Sequence, residues 1–152
     1  MVRITLSVSQ DDVFEKVSLT SEYAGSKMQG DEGSYLRVSA VDSDRELLVR
    51  FWDESCSTAT SVFQPFLSSV DKNATSYGVT LSLSSSWEGL LRDSMQKSLF
   101  DFFVSSITAK WYKIVNRSDV ESMGGDAMSQ LENLKSMLYH KKKPVRRAIH
   151  NS

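Results

Sequence analysis

One cysteine, two histidines and two prolines are all that this chain of 152 residues holds of three residue types that usually mark reactive centres or breaks in a fold. The single Cys56 excludes an intramolecular disulfide. It stands among the apolar positions of a helical pattern, where a small buried thiol is the plain expectation. Both histidines, His140 and His150, fall in the C-terminal stretch, so no His-centred triad can be assembled inside the body of the chain. There is no Cys/His cluster with zinc spacing, no glycine loop of the phosphate-binding kind after a strand, and no His-Glu-x-x-His. Adjacent acids do occur, at Asp11-Asp12, Asp31-Glu32, Asp42/Asp44 and Asp53-Glu54. At helix starts such acids answer the positive end of the helix dipole. The sequence therefore predicts a protein that is not an enzyme, with no catalytic residues, no metal and no cofactor.

No run of about 18 apolar residues is present, nor a charged-then-apolar leader, so the expectation is neither a membrane span nor secretion, with synthesis in the cytoplasm. At 40% hydrophobic residues the chain has enough apolar side chains for one core without disulfide or metal support. Charge is unevenly placed. Residues 1–109 carry 15 Asp/Glu against 9 Lys/Arg, a net of -6, and residues 110–152 carry 9 Lys/Arg against 4 Asp/Glu, a net of +5. Such a dipolar molecule can associate head to tail, the basic end of one copy on the acidic body of the next.

The chain order follows from periodicity. Arg3–Val8 alternates apolar Ile4, Leu6 and Val8 with polar neighbours, the period of a half-buried strand. Ser9 followed by acids predicts a short helix carrying Val13, Phe14 and Val17 and finished by Gly25. Three glycines between Gly25 and Gly33 predict an exposed, mobile loop, and Tyr35–Val41 fits a short strand or an irregular lead-in. Ser43-Asp-Arg-Glu46 has the form of a capping box. It opens an amphipathic helix with Leu48, Phe51, Trp52, Cys56, Ala59, Val62, Phe63, Phe66 and Leu67 on one face, which Pro65 should kink or end.

Asp71–Asn73 reads as a turn, and Tyr77, Val79, Leu81 and Leu83 alternate with small polar residues as a second strand, whose expected partner is Arg3–Val8. Ser85-Ser-Trp-Glu88 repeats the capping box and predicts the longest helix, Trp87 to Arg117, with Leu91, Met95, Leu99, Phe102, Phe103, Ile107, Trp111, Ile114 and Val115 in its stripe. A break over Asp119–Asp126 at Gly124-Gly125 should precede a last helix from Ala127 to about His140, with Met128, Leu131, Leu134, Met137 and Leu138 inward. Trp52, Leu99, Phe103 and Trp111 are the expected core. Phe100–Phe103 and Trp111-Tyr112, with Lys110 and Lys113 nearby, have the composition of a base-stacking surface, but their helical spacing favours core. The fold class is thus mainly α with a small β element (α+β): amphipathic helices around one long central helix, plus a β-hairpin or small sheet.

Residues 1–140 read as one globular domain and 141–152 as a basic arm. Lys141, Lys142, Lys143, Arg146 and Arg147 set five cations within seven residues around Pro144, and these are the candidate partner-binding residues. A docking arm, a grip on nucleic acid and a nuclear import address share this composition.

Two segments carry a resemblance. Asp44–Glu54 (DRELLVRFWDE), and Ser94–Val104 (SMQKSLFDFFV) running on to Ile107–Tyr112 (ITAKWY), resemble the head-tail connector or adaptor proteins of tailed bacteriophages. Residues 1–150 as a whole are similar to small prophage-encoded virion proteins of Bacteroides-type bacteria. The resemblance implies a non-enzymatic subunit of the virion neck, a homo-oligomeric ring between portal and tail. It implies as partners further copies of the chain, the portal and other neck or tail proteins. DNA would be met only in passage and without sequence specificity, and no membrane is involved. On that expectation the location is the virion and the tail is a docking arm for an acidic neighbour. Connectors of this kind are often almost wholly helical in their core, from which the predicted strands depart.

Overall fold

The computed structural model describes residues 1–26, 44–115 and 120–143. Strand β1 (Val2–Ser9) runs straight into helix α1 (Gln10–Ser26), and the first helical N–H, that of Gln10, donates to the Thr75 carbonyl at 2.9 Å. Helix α2 (Arg45–Phe63) ends in a 3-10 turn at Gln64–Phe66 that contains Pro65, as the missing donor of proline requires. Strands β2 (Leu67–Lys72) and β3 (Ser76–Leu83) form a hairpin, helix α3 (Arg92–Ile114) follows a 3-10 turn at Gly89–Leu91, and helix α4 (Val120–Tyr139) completes the order. The sheet is antiparallel with strand order β1-β3-β2. The α+β class is as expected, and so is the pairing of β1 with β3, which sets Leu6 against Val79 and Val8 against Tyr77.

The core lies between the sheet and α3. Leu6, Val8, Tyr77, Val79, Leu81 and Leu83 project from the sheet, and Met95, Leu99, Phe102, Phe103, Ile107 and Trp111 from the helix. Val104, Thr108 and Tyr112 are buried as well, so α3 is covered on more than one face and is the central helix. Trp52 on α2 packs on Phe103 with ring centroids 4.7 Å apart and edge-on to Phe14 at 6.3 Å, while Phe103 also meets Tyr77 at 5.5 Å. Trp52, Leu99, Phe103 and Trp111 are buried as predicted, and so is Cys56. Phe102, Phe103, Trp111 and Tyr112 are core residues too, and none of these four rings is offered to a base. Among the described residues no helix is long and apolar enough to cross a membrane.

Several expectations are corrected. Helix α1 continues through Gly25 to Ser26, and the remainder of the predicted Gly25–Gly33 loop lies outside the described residues, as do Tyr35–Val41 and Ser43. Asp44 is the N-cap residue of α2. Leu67 belongs to β2, together with Asp71 and Lys72, which were expected in a turn. That strand was hidden because only Leu67 in it is even half-buried, so it shows no apolar alternation.

The capping box at Ser85–Glu88 does not start α3. Glu88 instead caps the 3-10 turn, accepting from the Leu90 N–H at 3.2 Å, and α3 begins at Arg92, giving 23 residues or about 35 Å. Helix α4 passes through Gly124-Gly125 unbroken, because Met123, Ala127, Leu131, Leu134 and Leu138 make a stripe that spans the glycine pair and packs on α3. Two positions expected inward are not: Met128 is 68% exposed and Ile114 49%.

Candidate functional site

The predicted arm begins at a corner of the body built from two segments far apart in sequence. Helix α4 ends at Tyr139 with a turn in which the His140 N–H donates to the Met137 carbonyl at 3.3 Å. The chain then runs antiparallel to Ser86–Glu88: the Glu88 N–H donates to the His140 carbonyl at 3.2 Å, and the Lys142 N–H donates to the Ser86 carbonyl at 2.7 Å. Trp87 and Lys141 are the bridge pair between them. Trp87 is buried at 2% exposure, and its indole Nε1–H donates to the Met137 carbonyl at 2.7 Å, satisfying an acceptor in the last turn of α4. The Ser84–Trp87 turn is held by the Trp87 N–H donating to the Ser84 carbonyl at 2.9 Å and by contact between the Ser84 and Ser86 hydroxyls at 2.9 Å.

Beside this bridge is a cavity of about 240 Å³ lined by Phe66, Ser84, Trp87, Leu138, Tyr139, His140 and Lys141. Phe66 and Tyr139 meet edge to face at 5.0 Å, and Tyr139 remains 64% exposed. Lys141 lines it, and Lys141, Lys142 and Lys143 are all exposed. The geometry presents an apolar hollow next to two cations on a bonded backbone, Lys141 and Lys142, with Lys143 following them, an arrangement suited to an acidic chain that also carries an apolar side chain. Of the predicted partner-binding residues, Lys141, Lys142 and Lys143 are thus brought together here, and Arg146 and Arg147 lie outside the described residues. The body does not release the chain at residue 141, since the backbone bridge extends to Lys142.

The sequence points to Phe66 only as part of a helical stripe and to Trp87 and Glu88 only as a helix start, and it does not single out Tyr139. The Ser-Ser-Trp-Glu string assigned Trp87 to a helix start. A better signal was the triple serine before it and Gly89 two residues after, which make a turn around a ring that must be buried.

A second hollow, of about 520 Å³, is lined by Gln10, Arg45, Val49, Trp52, Asp53, Lys72, Asn73, Ala74 and Thr75. Its charges are matched in pairs: Arg45 reaches the Asp11 carboxylate and the Gln10 side-chain carbonyl, each at 3.2 Å, and Lys72 donates to Asp53 at 2.8 Å. That hydrogen bond from Lys72 to Asp53 raises the lysine above its ordinary range. The other half of the Asp53-Glu54 pair is engaged by Lys110 at 2.7 Å.

Cys56 is buried, and burial pushes its thiol up to about 12, which favours the neutral thiol over the reactive thiolate. Tyr77, which shares a hydrogen bond of 2.7 Å with the Thr60 hydroxyl, is likewise pushed up to about 12 by burial. Among the described residues no three His, Cys, Asp or Glu side chains gather as a metal site would require. Neither hollow combines a nucleophile, a base and a group to orient it. Set against known protein families, curated proteins and solved structures, the chain matches none of them.

Proposed function

We propose that this chain is a non-enzymatic structural subunit of a virion neck, a ring-forming connector or adaptor between portal and tail, which docks through its basic C-terminal corner. The neck assignment follows from the resemblance of the segments around Phe51-Trp52 and Ser94–Tyr112 to connector proteins. The observation that carries docking is the backbone bridge, which extends to Lys142 and sets the exposed Lys141 in the wall of the apolar hollow, with Lys142 and Lys143 exposed directly after it. A cation on a fixed root loses less freedom on binding than one on a loose tail, so more of its attraction appears as affinity. The acidic body, at -6 over residues 1–109, provides a complementary surface on a neighbouring copy, and an acidic portal face serves equally.

The test is assembly with the neighbouring gene products, followed by co-sedimentation and electron microscopy. Lys141→Glu, Lys142→Glu and Lys143→Glu together, or Arg146→Glu with Arg147→Glu, should leave the melting temperature within a few degrees and abolish joining to the ring or particle. A chain ending after Lys143 retains the Lys142–Ser86 bond and should fold as the full chain does. Normal assembly by all three variants would refute docking through this corner. Binding to duplex DNA whose log affinity falls steeply and linearly with log salt would instead assign the cations to phosphate.

A further inference from the structure

The three-stranded sheet has two outer edges, and among the described residues only the β1 edge is covered by side chains. On β1 the outward-facing backbone belongs to alternate residues, among them Thr5 and Ser7. The Ser7 N–H donates to the Gln96 side-chain carbonyl at 3.0 Å, the Gln96 amide Nε2 donates back to the Ser7 carbonyl, and Arg92 donates to the Thr5 carbonyl at 3.1 Å. Side chains of α3 thereby occupy the place of a further strand. Proteins guard exposed edges in such ways because an open ladder recruits other chains.

Among the described residues the β2 edge has no such cover. The Asn73 N–H donates across the hairpin to the Ser76 carbonyl at 3.1 Å, which fixes the alternation. Asn73 and Asp71 turn their backbone toward β3, and Val70 and Lys72 turn theirs outward. Among the described residues no hydrogen bond reaches those outward groups. Residues 68–72 are all exposed, Val70 at 41%. A lysine on an edge strand ordinarily repels an incoming strand, but the Lys72 ammonium is drawn onto Asp53.

We propose that β2 is a pairing edge for β2 of a second copy, joined antiparallel about a two-fold axis with the two Val70 residues opposite each other. Because side chains of α3 occupy the β1 edge at Thr5 and Ser7, they obstruct head-to-tail growth of the sheet from β1 of one copy to β2 of the next. Pairing through the sheet must join like edge to like edge and closes at two copies. Charge selects the register. Centring the axis on Asp71 or on Lys72 sets like charges directly across from each other, which destabilises a cross-strand pair. Centring it on Val70 matches two β-branched side chains, places Asp71 against Ser69, and leaves Lys72 facing the irregular stretch at Ser68 with no like charge across from it. The irregularity between Leu67 and Ser69 bounds the contact at its other end, so the paired stretch is short and the dimer weak. This inference rests on the sheet alone and not on the neck assignment.

The experiment is sedimentation of the purified full chain over a wide concentration range in about 0.5 M salt, where the screening length is roughly 4 Å and arm-driven association is suppressed. The expected result is a monomer–dimer equilibrium with nothing larger, and hydrogen exchange at the Val70 and Lys72 amides that slows as concentration rises. Val70→Pro removes an outward N–H and no bond to β3, and Val70→Lys sets two cations across the axis with the backbone intact. Each should raise the dimer dissociation constant about tenfold or more while the melting temperature stays close to that of the parent. A chain that is monomeric throughout, a dimer indifferent to both substitutions, or growth past the dimer would each overturn the proposal. None of these outcomes bears on the arm, which is tested at low salt with other variants.

Discussion

Two buried tryptophans show the two ways in which this molecule is held together. Trp52 sits between Phe14 and Phe103 with its indole N–H making no hydrogen bond, so it is retained by packing alone. Trp87 is equally buried, but its N–H is spent on the Met137 carbonyl, and its neighbours Ser86 and Glu88 bond the chain beyond α4. The first residue belongs to a core that is non-directional, in which many side chains share the load. The second belongs to a corner whose geometry is specified bond by bond. The difference explains why the core was readable as a pattern of residue types and the corner was not.

The largest way to break the comparison is to remove the rings. Trp52→Ala, Trp111→Ala and Trp87→Ala should each cost about 3–5 kcal/mol in urea or thermal unfolding, because all three delete a large buried side chain. A near-neutral Trp111→Ala would relocate that ring from core to interface.

Alkali should separate the two regions. Burial raises Cys56 from its ordinary 9.0 and Tyr77 from its ordinary 10.0, both to about 12, and both face the core. A raised acid is held neutral by the fold, so this contribution is complete below about pH 9 and drains away as pH climbs toward 12. Unfolding followed between pH 8 and pH 12 should show falling stability over that window, with the onset displaced upward in Cys56→Ala once its cavity cost at neutral pH is subtracted.

Subtler is the exchange of indole for phenyl. Trp87→Phe loses the bond to Met137 and should cost about 1–2 kcal/mol more than Trp52→Phe, whose nitrogen bonds nothing. Equal costs would mean that the corner is held by packing as the core is. Smallest is a gain: Gly124→Ala and Gly125→Ala should each stabilise by about 0.5–1 kcal/mol, since an added Cβ meets nothing within 4 Å at either site and both lie inside α4. Chemical denaturation resolves effects of that size, and a loss at either position would mean that the helix needs its glycine.

What the sequence disclosed follows the same division. β1 and β3 were legible because Ile4–Val8 and Tyr77–Leu83 alternate across a sheet with one buried face. The stripes on α2 and α3 were legible because those helices bury many large side chains at helical spacing. β2 was illegible because its placement depends on hydrogen bonds to β3 and not on burial of its own side chains. The start of α3 was misjudged because a serine three residues before a glutamate satisfies a pattern that Trp87, by turning inward to Met137, overrides. The glycine pair misled for a related reason, since the apolar stripe of α4 offsets a penalty of about 1 kcal/mol per glycine. Lys141–Lys143 were legible as charge, but nothing local announces that the backbone of His140 and Lys142 is bonded to residues more than 50 positions earlier.

That bridge also determines where the molecule yields under load. A helix pulled from its C-terminal end frays turn by turn, because its last carbonyls have no partner within it. Here tension arriving through Lys143 meets the Lys142–Ser86 and His140–Glu88 bonds first, with Trp87 behind them as a wedge set into the end of α4. Force is passed sideways into the Ser84–Glu88 turn and on to β3 before it reaches the axis of the helix. The corner works as a cleat: whatever holds the chain beyond residue 143 pulls on the sheet.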